Sequence, residues 1–135
     1  MIDFEQLARN MEGEVMTDSL HQMIYATDAS AYREIPLAVV YPRDASDVKE
    51  CIKFARKNGI TLIPRAAGTS LAGQVVGNGV VVDVSRYMNH VLEINEKEHW
   101  VRVEPGVVLD ELNMRVKSLG LFFGPETSTS NRCCL

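Results

Sequence analysis

The sequence is short of cysteine, of aromatic residues and of positive charge. Its three cysteines are Cys51, Cys133 and Cys134. An odd count with an adjacent pair is not a disulfide framework. His21, His90 and His99 stand at spacings that suit no zinc site. The cysteines are therefore expected to be free thiols in a reducing compartment. Lys and Arg number 14 against 18 Asp and Glu, a net charge of −4. With no basic cluster, nucleic acid and anionic membrane surfaces are poor partners. No apolar run approaches the roughly 18 residues of a membrane span. The acidic start Met1-Ile2-Asp3-Phe4-Glu5 lacks the basic region of a secretory signal. A cytoplasmic address follows by default. Repeats and low-complexity tracts are missing too.

What is there suffices for one domain or part of one: 135 residues, 46% hydrophobic. Phe4, Leu7, Ala8 and Met11 recur at helical spacing, and the first 25 residues read as helix with Gly13 ending the first run. Tyr25-Ala26-Thr27-Asp28-Ala29-Ser30 is small and polar, a loop. Leu37-Ala38-Val39-Val40-Tyr41 reads as a strand stopped by Pro42. A helix follows, capped by Asp44 or Ser46, with an apolar stripe of Val48, Cys51, Ile52 and Ala55 and a left-handed close at Gly59. Ile60-Thr61-Leu62-Ile63 is a second strand and Val80-Val81-Val82-Asp83-Val84 a third. Continuous apolar runs separated by a helix predict buried, mostly parallel strands. Beyond Ser85 the pattern alternates. Val91–Ile94 and Trp100–Glu104 predict a half-exposed antiparallel pair, followed by a helix with Leu109, Leu112, Val116 and Leu119 on one face and Gly120 at its end. The fold class is α+β. Residues 1–85 form a small α/β lobe with a partly parallel sheet, and residues 86–135 an incomplete antiparallel α+β lobe.

Between the second and third strands lies Pro64-Arg65-Ala66-Ala67-Gly68-Thr69-Ser70-Leu71-Ala72-Gly73. A diphosphate needs several short donors and close backbone approach, which exposed amides in a tight loop provide. Gly68 and Gly73 allow left-handed torsions, the alanines leave room, and Thr69 and Ser70 add hydroxyls. Arg65 brings a positive charge, for phosphate or for a structural pair. The lysine of a P-loop is missing, and Gly77-Asn78-Gly79 enters a strand where the three-glycine dinucleotide fingerprint requires a helix. Other readings compete: a plain surface loop on a non-catalytic α/β binding or interaction module, or a site for FMN or another nucleotide. Cys51 on its stripe reads as core.

In sequence order, these residues resemble the PCMH-type, or vanillyl-alcohol-oxidase-like, FAD-binding domain. The resemblance rests on Tyr25–Ser30 with Tyr32 and Pro36, Val39–Pro42, Pro64–Gly73 with Gln74, Val103-Glu104-Pro105-Gly106 and Gly124-Pro125-Glu126-Thr127. Within that family it is nearest to the D-lactate, glycolate and D-2-hydroxyglutarate dehydrogenases. The resemblance implies an FAD-dependent oxidoreductase that passes hydride from a 2-hydroxy acid to flavin, then electrons to an acceptor. It assigns cofactor contacts to Pro64, Arg65, Ala66, Ala67, Gly68, Thr69, Ser70, Leu71, Ala72 and Gly73, and to Pro125, Glu126, Thr127 and Ser130. The family usually has another glycine where Ala66 or Ala67 stands here. No histidine or cysteine lies between Ile60 and Arg86, so non-covalent FAD is expected. The family continues past the Ser128–Cys134 stretch with more strands, a substrate-cap domain and, in some members, an iron–sulfur region. The chain thus reads as an N-terminal fragment, inactive alone and open to self-association, of a parent that is cytoplasmic or peripheral at a membrane. No catalytic residue is assigned, and none of the three histidines is proposed as one.

Overall fold

The computed structural model describes residues 2–135. Asp3 caps the first helix, α1 (Phe4–Arg9), by accepting from the Gln6 amide. The chain then turns into a short strand, β1 (Glu14–Met16), before a second capped helix, α2 (Ser19–Ile24). The helical reading of the first 25 residues is therefore corrected: beyond the break expected at Gly13, a strand separates the two helices. The cause is non-local. β1 pairs antiparallel with β2 (Ala38–Tyr41), Val15 opposite Val40. Gly13 lies so close to that strand that a Cβ would stand 2.1 Å from the Tyr41 carbonyl oxygen.

The helix α3 (Ala45–Asn58) starts on an Asp44 cap, runs to Gly59 in the left-handed region and leads into β3 (Leu62–Arg65). The strand begins and ends two residues later than the sequence pattern suggested. β4 (Val80–Asp83) then enters between β2 and β3, giving the order β1-β2-β4-β3 with β4 parallel to both neighbours. All four residues of β2 and of β4 are buried. Their side chains alternate between two packed faces. Ala38, Val40, Val80 and Val82 meet Leu7, Cys51 and Phe54. Val39, Tyr41 and Val81 meet Met16, Tyr25, Ile63 and Tyr87.

The buried face of α3 is Asp47, Cys51, Phe54 and Ala55, while Ile52, expected on that stripe, is 53% exposed. Two contacts set this rotation. Phe54 sits against Phe4, with ring centroids 5.5 Å apart. The Asp47 carboxylate accepts from the amides of Glu12 (3.0 Å), Gly13 (2.9 Å) and Arg43 (2.8 Å). A buried acid thus fastens the turn before β1 to the start of α3.

Past β4 the chain builds a second, two-stranded sheet, β5 (Val91–Asn95) antiparallel to β6 (Trp100–Val103), with an irregular register between Val91 and Glu93. Val107 and the last helix, α4 (Leu109–Val116), close over it, with Val107, Leu112 and Val116 against Val91, Val101 and Val103. The helix tightens to a 3₁₀ turn at Lys117–Leu119, ending at Gly120 with φ 70°. That tightening takes Leu119 off the expected face. The α+β class holds.

Replacing Asp47 by Ala strips three amides of their acceptor. Unpaired buried donors cost about 1–3 kcal/mol each, partly relieved by water. Asp47→Ala should lower the urea-unfolding free energy by at least about 2 kcal/mol; a loss below 0.5 kcal/mol (about the size of an ordinary surface change) would refute the role given to this carboxylate. Burial pushes the Cys51 thiol up from 9.0 to about 12. A raised folded-state value stabilises below the unfolded value and is lost as pH climbs toward the folded one. Unfolding free energy should therefore fall as pH rises above about 9, and Cys51→Ala should fall less steeply over the same range.

Candidate functional site

Parallel neighbours in a sheet need a long return connection, usually a helix. Between β3 and β4 the return is residues 66–79, with no helix in it. The first part, Ala66–Gly73, lies beyond the carboxyl end of β3, at the edge where open α/β sheets hold ligands. The second part returns to the start of β4, where Gly79 fits because a Cβ would stand 2.4 Å from Thr61 Oγ1.

Pro64 and Arg65 lie inside β3, opposite Val82 and Asp83. The Arg65 guanidinium folds back across the Tyr25 ring, 5.0 Å from its centroid. Its Nη1 donates to the carbonyls of Thr27 (2.8 Å) and Tyr25 (3.4 Å). Of the two roles open to Arg65, the structural one is the one this geometry occupies. Gly68 rests on that guanidinium: its φ is 69° and a Cβ would stand 2.5 Å from Arg65 Nη2. Gly73 has φ 71° and a Cβ there would meet the Tyr32 ring at 2.6 Å.

The amides of Gly68, Thr69, Ser70, Leu71 and Gly73 donate to no group among the described residues, and the Thr69 hydroxyl is likewise unpaired. Ser70 Oγ is engaged within the loop. It meets Gln74 Oε1 and accepts from the amides of Ala72 and Gln74, both at 3.3 Å. No carboxylate occurs from Pro64 to Gly73. Consecutive free amides, left-handed glycines and the absence of an acid are the chemistry that a main-chain anion cradle requires.

Asp83 underlies this end of the sheet. It is 5% exposed, and it accepts from the Tyr25 hydroxyl at 2.5 Å and from the Ser85 amide and hydroxyl at 2.8 and 2.6 Å. Burial first, then the bond to Asp83, raises Tyr25 well above the usual phenol range, so the phenol stays a donor. Neither residue was singled out for this from sequence. An acid closing an all-valine strand was the available signal.

The second group of expected contacts lines a cavity that includes no residue of the loop. Pro125, Glu126 and Thr127 are exposed and share a shallow cavity with Ser130, Asp110 and Asn113. No hydrogen bond among the described residues joins them to the loop. The following residues do reach it. Leu109 donates to the Cys133 carbonyl and Leu135 to that of Val107, which pins the segment to α4. The Cys134 thiol then lies by the Ala67 amide, and burial, with Cys133 and Asp83 nearby, raises its pKa. The histidines serve elsewhere: His21 with Asp18 at 2.7 Å, His90 with Glu104 at 2.6 Å, and His99 in the β5–β6 turn. Among the described residues no group of acids, histidines and cysteines has the makings of a metal site.

A family model described as "FAD binding domain" matches residues 36–135. The D-2-hydroxyglutarate dehydrogenase of Haemophilus influenzae is 42% identical over 130 residues, covering 94% of this chain and 13% of that protein. That of Pseudomonas putida is 44% identical over 135 residues, covering 96% and 13%. The chain thus spans a small part of the length of the curated relatives it matches. Among solved structures, an alkyldihydroxyacetonephosphate synthase superposes with a TM-score of 0.85 at 19% identity, over 98% of this chain and 30% of that one. The likeness at that identity is one of fold. The match across residues 36–135, carrying both the amide-lined loop and the segment that reaches back to it, makes this chain a member of the FAD-binding domain family.

Proposed function

We propose that this chain supplies the diphosphate-holding part of an FAD site in a dehydrogenase of D-2-hydroxy acids. The observation that carries the reading is the run of unpaired amides from Gly68 to Leu71 beyond the carboxyl end of a parallel strand. Pro64–Gly73 form the loop, within which the amides of Gly68, Thr69, Ser70, Leu71 and Gly73 and the Thr69 hydroxyl are the donors for phosphate oxygens. Arg65 contributes from behind, bracing the loop and lending positive potential. Pro125, Glu126, Thr127 and Ser130 complete the site from residues 86–135, the second of two units, the first being residues 1–85. FAD bound there, without a covalent link, supplies the acceptor for the hydride removed from the substrate α-carbon. The chain's own part is to bind and orient: rigid amides fix the diphosphate, and so the reach of the flavin beyond it.

The relatives' name supplies the substrate class, a 2-hydroxy acid such as D-2-hydroxyglutarate. An electron acceptor is then required to reoxidise the flavin. The reading places the parent in the cytoplasm or peripheral at a membrane. No helix among the described residues is long and apolar enough to cross a membrane. The two-stranded β5–β6 sheet has free edges through which isolated copies of the chain can self-associate.

Calorimetric titration of the chain separates the diphosphate from the flavin ring. FAD and ADP should compete for one saturable site, and riboflavin should not displace either. Displacement of FAD by riboflavin, with ADP inert, would overturn the assignment. Gly68→Val meets the Arg65 guanidinium and forces a branched side chain to a positive φ. It should weaken FAD and ADP alike by at least about tenfold.

A further inference from the structure

The Tyr25–Ser30 turn, with Tyr32, touches the loop repeatedly. The Arg65 guanidinium donates to the Thr27 carbonyl at 2.8 Å. The Ala29 amide donates to the Gly68 carbonyl at 3.2 Å. The Tyr32 ring packs on Gly73, 2.6 Å from where a Cβ there would stand. These ties hold the loop at its start, its middle and its far glycine.

Asp28 stands at the centre of this turn. Its Oδ1 accepts from the Ser30 amide at 2.8 Å, and Ser30 Oγ in turn accepts from the Tyr32 amide at 3.1 Å. That two-step local network sets the direction of the Tyr32 ring toward Gly73. Asp28 Oδ2 is sealed from solvent with no hydrogen-bond partner among the described residues. The groups that act on this carboxylate from outside the turn are the Arg65 guanidinium, from β3, and the Val75 amide, from the limb of the loop beyond Gly73. Ser30 first, then these two, hold its pKa below the usual carboxylate range. A sealed carboxylate oxygen left without a donor is an acceptor still available to the far limb of the loop.

We propose that Asp28 is a positioning residue of the cradle: one oxygen shapes the turn that braces Gly68 and Gly73, and the other draws in the Val75 amide. The effect is to hold the amides from Gly68 to Leu71 presented before any ligand arrives. This preorganisation saves the ordering cost that a floppy loop would pay on binding. The proposal rests on reading the loop as a diphosphate cradle.

Asp28→Asn is the discriminating change, because the new amide nitrogen cannot accept from Val75 while the remaining oxygen can still serve Ser30. Backbone order of residues 66–76 is measured by ¹⁵N relaxation in the unliganded chain, with β2 and β4 amides as the internal control. The wild-type loop should approach the order of the sheet, with parameters of about 0.85, and Asp28→Asn should drop the loop alone toward about 0.6. Tyr32→Ala should loosen the region around Gly73 in the same experiment. ADP affinity of Asp28→Asn should fall about tenfold with the unfolding midpoint unchanged. A loop that stays as ordered in Asp28→Asn as in wild type overturns the positioning role, with or without ligand. Failure of the wild-type chain to bind ADP while the variant loop loosens overturns the diphosphate reading instead, so the two failures are told apart.

Discussion

β4 has a parallel partner on each side, and the rest of the molecule is arranged around that constraint. A strand of Val80, Val81 and Val82 buried on both faces needs a covering layer above and below. The layer of α1 and α3 provides one, and the aromatic group of Tyr25, Tyr41 and Tyr87 the other. Parallel pairing also brings β3 and β4 to an end at the same edge. The connection from β3 must leave that edge and travel back without a helix. The amides from Gly68 to Leu71 are left unpaired along that path, and the acid that ends β4 anchors the tyrosine beneath the loop.

Sequence periodicity was a good guide wherever neighbours in the chain decide the outcome. The apolar runs of β2 and β4, the Asp44 cap and the left-handed glycines at 59 and 120 all depend on residues a few positions apart, and all are found. It failed where distant partners decide. β1 is three residues long, too short to show alternation, and exists because β2 accepts it. Ile52 yields the buried face to Phe54 because Phe4 waits there and Asp47 must reach Glu12 and Gly13. The loop itself was legible from composition and position. Its support was not, since Tyr25 and Asp83 are 58 residues apart in the chain.

The site also separates two ways of holding an anion. A cationic side chain gives long-range attraction but loose geometry; backbone amides give fixed directions at short range. Here the one basic residue of the loop is spent on the carbonyls of Thr27 and Tyr25, so under the proposed reading the amides are the recognising groups. This suits a chain with a net charge of −4, whose overall field does not draw anions in. Affinity must then come from shape and fit at the last few ångströms.

Donors that belong to the main chain have a particular kind of durability. No substitution at Thr69, Ser70 or Leu71 short of proline deletes an amide, so the side chains on the rim are free to drift without cost to the recognising groups. What drift cannot touch lies underneath: the torsions at Gly68 and Gly73 and the residues that brace them. In an alignment of such chains, the positions that never change would mark the foundations of the site more sharply than its surface.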